Sequence, residues 1–264
     1  MGGIDVINPR YRVLFERASQ VLSADHRVRS ITVGGSVGAG TADRWSDLDL
    51  TIVTEPSHHD EFISDWPNWL ARITPTVFAR TPIAPFIINT VTDEGLTLDL
   101  VIWSGEAPAR RPPTRYPVGF SRTGFDNIRD ALEYAVAEQL RGLAGPFISL
   151  IQRGEHLRHL TGVPHVLGLL TTVFLAETGE APPTAKVWNQ TYTEEQRDTV
   201  AALPAVRATR DDLIAFDLAI ANLIVDRARP LFEQHDLDWP TDLARIAAAR
   251  LRDELGIDTA DWLN

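Results

Sequence analysis

Residues 47–52 read Asp-Leu-Asp-Leu-Thr-Ile, so two leucines and an isoleucine alternate with two aspartates and a threonine. A period of two belongs to a half-buried β-strand, whose successive side chains point to opposite faces. Asp47 and Asp49 are expected to project together, with Leu48, Leu50 and Ile52 facing a core. Two carboxylates side by side repel unless a cation sits between them, and hard oxygen ligands suit Mg²⁺. A third acid, Asp99, lies inside the apolar run Leu96-Thr97-Leu98-Asp99-Leu100-Val101-Ile102. A charge in the middle of such a strand is costly unless it is paired or metal-bound. If the two strands are neighbours, Asp47, Asp49 and Asp99 form one metal-binding patch.

Upstream of the acid pair, a short strand at Arg29–Val33 runs into Gly34-Gly35-Ser36, and ten residues separate Ser36 from Asp47. Glycines let the backbone approach a ligand closely and adopt positive φ, and a following helix start points free N–H groups at phosphate. Tyr11–Leu22 carries Val13, Leu14, Ala18, Val21 and Leu22 at helical spacing. Pro85–Val91 and Leu96–Trp103 read as two further strands joined by the turn Asp93-Glu94-Gly95. The segment 106–118 then changes character, with Pro108, Pro112, Pro113 and Pro117 among Arg110, Arg111 and Arg115, and predicts a stiff linker. Beyond it the pattern is helical, at 125–143, 147–160, 166–178, 209–233 and 241–255. Thr193-Glu194-Glu195-Gln196 and Thr209-Arg210-Asp211-Asp212 read as helix caps. The expected organisation is an α/β domain over residues 1–105, a linker over 106–118 and an all-α domain over 119–264.

Composition narrows the chemistry. The chain of 264 residues has no cysteine, which removes disulfides, thiolate catalysis and Cys-ligated metal centres. Its net charge of −11 argues against a general nucleic-acid binder and suits a cationic small molecule. Met1–Val6 has neither a basic start nor an apolar run, and the apolar stretch Val163–Ala176 is too short for a bilayer. A cytoplasmic protein without a membrane partner is expected. Of the basic residues only Lys186 is a lysine, the others being arginine.

Val33, Gly35, Ser36, Asp47, Leu48, Asp49, Leu50 and Asp99 together resemble the signature of the DNA polymerase β-type nucleotidyltransferase superfamily. That signature is a hydrophobic residue, Gly, Gly or Ser, a short spacer, Asp-hydrophobic-Asp/Glu-hydrophobic, and a third acid on a later strand. The plan of an α/β (α+β) nucleotidyltransferase domain with a mixed β-sheet, followed by an all-α helical domain, is similar to the antibiotic nucleotidyltransferases acting on aminoglycosides and lincosamides.

The resemblance implies an Mg²⁺-dependent transfer of NMP, with AMP from ATP the first expectation, to a hydroxyl of a small molecule bound by the helical domain. It implies two metal ions held by Asp47, Asp49 and Asp99. Asp99 serves either as a ligand at the attacking oxygen or as the base, and the two roles stay open. Gly35 and Ser36 would bind the β- and γ-phosphates, with Arg44 and Ser46 assisting. Lys186, in Thr184-Ala185-Lys186, would reach the triphosphate as in streptomycin-type adenylyltransferases. Two alternatives remain: a toxin-type acceptor, tRNA or a protein hydroxyl, and a catalytically silent nucleotide-binding regulatory domain.

Other groups read as ordinary packing. His58-His59-Asp60-Glu61 is expected to be a solvated loop, because adjacent residues do not share a face. His156 and His159 have zinc-compatible spacing but no third ligand, so surface packing is expected. Trp66, Trp69, Trp103 and Trp188 are expected in the core or an interface.

Overall fold

The computed structural model describes residues 8–81, 86–106, 127–179, 191–259 and 262. Lys186, Trp188 and all of the expected linker except Glu106 lie outside the described residues. The chain divides into two compact units, Met1–Tyr116 and Pro117–Asn264.

In the first unit, helix α1 (Arg10–Ser23) precedes strand β1 (Val28–Val33), the short helix α2 (Gly35–Ala39) and strand β2 (Leu48–Thr54). Helices α3 (His59–Ser64) and α4 (Trp66–Ile73) follow, then strands β3 (Thr76–Arg80), β4 (Ile87–Thr92) and β5 (Thr97–Ser104). The five strands form one sheet in the order β1-β2-β5-β4-β3. β2 and β5 are parallel while the other neighbours are antiparallel, so the sheet is mixed.

Strand parity determines what each face does. Leu48, Leu50 and Ile52 of β2 and Leu98, Leu100 and Ile102 of β5 point to one face and are buried. There they join one core cluster with Leu14, Ala18 and Leu22 of α1, Phe62 and Ile63 of α3, and Trp69, Leu70 and Ile73 of α4. Trp69 stacks on Phe62 at 4.9 Å between ring centroids, and its indole N–H donates to the Phe62 carbonyl. The alternate positions, including Asp49 and Asp99, are left to the opposite face.

Helix α4 was not expected from the sequence, and two other elements depart from the expectation. The His58–Glu61 stretch is not a loop: a 3₁₀ turn at Pro56–His58 leads into α3. Pro56 starts that turn, Asp60 and Glu61 occupy the first turn of the helix, and Phe62 and Ile63 supply its buried side. A third strand, β3, was not anticipated; it forms the sheet edge beside β4.

The second unit comprises α5 (Ile128–Ala144), α6 (Pro146–Gln152), α7 (His156–Leu160), α8 (Val163–Thr178), α9 (Glu194–Ala201), α10 (Arg210–Gln234) and α11 (Thr241–Leu255). The expected helix 147–160 is broken at Gly154, whose φ of +70° favours glycine. Thr193 and Gln196 form a reciprocal capping box, and the Thr209 hydroxyl accepts from the Asp212 N–H. His159 is not a surface residue: it is buried, and its Nε2 lies 2.8 Å from Oδ2 of buried Asp217. Among the described residues one helical stretch, His156–Thr178, is long and apolar enough by composition to cross a bilayer. Its α8 portion packs against α5 and α10, burying Leu169, Leu170, Val173 and Phe174.

At the start of β1, Arg27 is buried and ties three acids together. Its guanidinium donates to Asp25 (2.7 Å), Asp65 (2.8 Å) and Glu61 (3.3 Å), and lies over the Phe62 ring. The Arg27 hydrogen bond holds the Asp25 carboxyl below the usual carboxylate range, against the opposing effect of burial. A folded pKa below the unfolded one gives stabilisation that is complete above the unfolded value, about 4, and lost as pH falls through the folded value. Arg27→Met removes the cation from beside a buried carboxylate and is expected to cost about 3 kcal/mol at neutral pH. Denaturant unfolding between pH 3 and 7 checks this: the acid-side loss of stability should be steeper in the wild type than in the variant.

Candidate active site

Two of the three expected carboxylates are carried by β2 and β5, neighbours in the interior of the sheet. Asp49 of β2 and Asp99 of β5 are direct register partners in the parallel pair, so they stand side by side on one face. Both are half-buried, between the fully buried Leu48 and Leu50 on one strand and Leu98 and Leu100 on the other. Asp47 lies one residue ahead of β2 and is also half-buried. The row continues beyond Asp99, since Asn89 of β4 is its register partner and Arg80 of β3 is the partner of Asn89. Gly34, Asp49, Asp99, Asn89 and Arg80 thus follow one another across the sheet, and the Gly34 N–H donates to the Asp49 carbonyl at 2.8 Å.

The glycine segment is shaped by its closeness to Asp49. Gly35 has φ +55°, and a Cβ there would lie 1.7 Å from Asp49 Oδ2. Only glycine meets both conditions, because a side chain would be strained and would also occupy the carboxylate's place. Gly38 is confined from the other side: a Cβ on it would lie 2.4 Å from the Val33 carbonyl, so α2 is pressed against the end of β1. Ser36 is the second residue of α2, and its carbonyl accepts from the Thr41 N–H at 2.9 Å.

The loop leading to Asp47 is organised by Asp43. The Ser46 hydroxyl donates to Asp43 Oδ1 (3.1 Å) and accepts from the Asp43 N–H (3.0 Å), while the Trp45 N–H donates to the same carboxylate (3.0 Å). Ser46 is buried in this turn, so its hydroxyl is committed to shaping the approach to Asp47. Arg44 is exposed, with its guanidinium carbon 5.0 Å from the centroid of the Trp45 ring.

Carboxylate oxygens are the right donors for a hard cation such as Mg²⁺, and the register of Asp49 beside Asp99 suits one. Among the described residues no three His, Cys, Asp or Glu side chains are grouped so as to hold a metal ion. Like charges side by side repel, and Asp49 and Asp99 each have an interaction partner in the fold. Asp49 and Asp99 are brought together by strand register, and Asp47 immediately precedes β2, two residues from Asp49. His58 and His59 serve elsewhere: His59 Nδ1 lies 2.8 Å from the Thr54 hydroxyl, and His58 Nδ1 lies 3.7 Å from Glu61 Oε2.

Sequence reasoning missed Asn89, Arg80, Asp43 and Gly38. The first two become visible only once strand register is known. Asp43 had a local signal, Asp-x-x-Ser, which commonly closes a turn through side-chain hydrogen bonds.

Residues 16–107 match the family described as the nucleotidyltransferase domain. No curated protein matches the chain. Among solved structures, an aminoglycoside 6-adenyltransferase from Bacillus subtilis aligns over 90% of this chain and 95% of its own, with 12% identity and a TM-score of 0.33.

The contact at Gly35 yields a direct test. Gly35→Ala should destabilise the protein by about 1–2 kcal/mol from the positive φ alone, and by more from the collision with Asp49. Removing the obstructing carboxylate relieves only the second part. In a double-mutant cycle with Asp49→Ala, measured by denaturant unfolding, the two costs should fall short of additivity by about 1 kcal/mol or more. Additive costs would show that Gly35 and Asp49 do not share the space.

Proposed function

We propose, from the match of residues 16–107 to the nucleotidyltransferase domain family, that this protein moves NMP from an NTP, ATP first, to a hydroxyl of a small cationic molecule. Aminoglycosides and lincosamides are the acceptors to try first. The observation that supports this reading is the pairing of Asp49 with Asp99 on adjacent parallel strands, with Gly35 packed against Asp49. The net charge of −11 supports the choice of a cationic acceptor.

In the proposed reaction the acceptor hydroxyl oxygen forms a bond to the α-phosphorus as the bond from that phosphorus to the bridging oxygen breaks. Pyrophosphate leaves from the opposite side, and the hydroxyl proton passes to Asp99 or to solvent. Asp47, Asp49 and Asp99 are the residues that would hold Mg²⁺, which when bound supplies Lewis-acid polarisation of the phosphate oxygens. Gly35 and Ser36 would receive the β- and γ-phosphates. Ser46 acts through the turn it makes with Asp43, fixing the approach to Asp47. Arg44 and Lys186 are proposed as counter-charges for the triphosphate.

Pyrophosphate release, assayed with each of four NTPs against a panel of aminoglycosides, lincosamides and RNA, tests the reading. Release with a small cationic acceptor is expected, and Asp49→Asn should lower it on the order of 10³-fold while circular dichroism stays unchanged. Wild-type turnover by Asp49→Asn would reject the mechanism. Label transferred from the NTP to RNA would reject the small-molecule acceptor.

A further inference from the structure

The polar row does not end at the two carboxylates. On the same face, Arg80 of β3 and Asn89 of β4 extend it in register with Asp99, so the charges read negative at Asp49, negative at Asp99, neutral at Asn89 and positive at Arg80. All four side chains are half-buried. The neighbouring rows on this face are mostly apolar: Phe78 and Val91 precede the polar row, and Ile87 and Val101 follow it, all of them buried. An arginine at a sheet edge needs no special explanation, but one that continues a row of two acids has an electrostatic consequence. Like charges directly opposite on adjacent strands destabilise a sheet. Arg80 is the cation that this row supplies, about 10 Å of sheet from Asp99 by strand spacing and within reach of a long side chain. Both Arg80 and Asp99 have interaction partners within the fold.

We infer that Arg80 is the resident counter-charge of the Asp49–Asp99 pair, offsetting their repulsion in the metal-free protein and weakening their attraction for a free divalent cation. The inference rests on the reading of this pair as the metal-holding end of the site. It assigns Arg80 a positioning role through Asp99, with no contact to substrate required. The consequence is regulatory: a bare cation approaching the carboxylates meets the opposing charge of the Arg80 guanidinium along the same row.

Mn²⁺ binding to the full chain, followed by electron paramagnetic resonance without nucleotide, tests this directly. Wild type, Arg80→Gln, Arg80→Lys and Asp99→Asn are compared, with Arg80→Met as a second neutral variant should Arg80→Gln not fold. One unit charge acting on a divalent ion about 10 Å away through largely aqueous screening, with an effective dielectric constant of about 50–80, predicts about 4- to 10-fold tighter Mn²⁺ binding in the neutral Arg80 variants at low salt. The gap should narrow as KCl rises, and Arg80→Lys should stay close to wild type. Without metal the neutral variants should melt below the wild type, and added Mn²⁺ should raise their melting temperature by more than it raises that of the wild type. A purely structural role would lower melting and leave the salt-dependent affinity gap absent. Equal or weaker Mn²⁺ binding in the neutral variants, alongside wild-type binding that Asp99→Asn abolishes, overturns the inference and leaves the carboxylate reading standing. Absence of Mn²⁺ binding in every variant overturns that reading and the inference with it.

Discussion

Carboxylates set opposite one another on adjacent strands push the strands apart, so something stronger must hold β2 against β5. The other face of the same strands supplies it. Leu48, Leu50 and Ile52 and their partners Leu98, Leu100 and Ile102 are each 1% exposed or less. Burying a side chain of this size is worth about 1.5–3 kcal/mol, and six of them outweigh one repulsion between half-exposed charges. A one-residue slip of either strand would turn three apolar side chains out of the core. The hydrophobic face thus fixes the register to the residue, and through parity it fixes Asp49 beside Asp99. The chemistry on one face is held in place by packing on the other.

The same division explains why the glycines stand where they do. The chain must turn from the end of β1 into α2 while passing directly over the Asp49 carboxylate, and Gly35 allows this with φ +55° and no Cβ. Gly38 then lets α2 settle onto the Val33 carbonyl. These contacts depend on where Asp49 is, and Asp49 is where the core puts it. The Asp43–Ser46 turn does related work at the other end of the loop, using side-chain hydrogen bonds where glycine would leave the chain loose.

Local pattern made α1, β1, β2, β4 and β5 readable from the sequence, because each has a clear period and a clean stop. It failed where periodicity is too short to register. α3 has six residues, and its buried pair Phe62-Ile63 hides behind His58-His59-Asp60-Glu61, which reads as a charged loop. β3 has five residues and gains its identity from pairing with β4, a tertiary fact. His159 illustrates the converse error: its spacing from His156 is a local feature, but its partner in the buried interior is Asp217, 58 residues away on α10. For the candidate site, residue types and spacing pointed to Asp47, Asp49 and Asp99, whereas the continuation to Asn89 and Arg80 depends on strand order. The ordering β2-β5-β4-β3 is not encoded in any one segment, so no local rule could have found it.

Net charge and local charge answer different questions about such a site. The value of −11 belongs to the whole chain and sets solubility and long-range attraction. At the carboxylate row the balance is set by two acids and one arginine in register, separated by a neutral asparagine. The row therefore carries a charge gradient along the sheet, negative toward β2 and positive toward β3. Over the distance between neighbouring strands this gradient is steeper than anything the distant surface charges impose, since those are screened beyond roughly 8 Å at physiological salt.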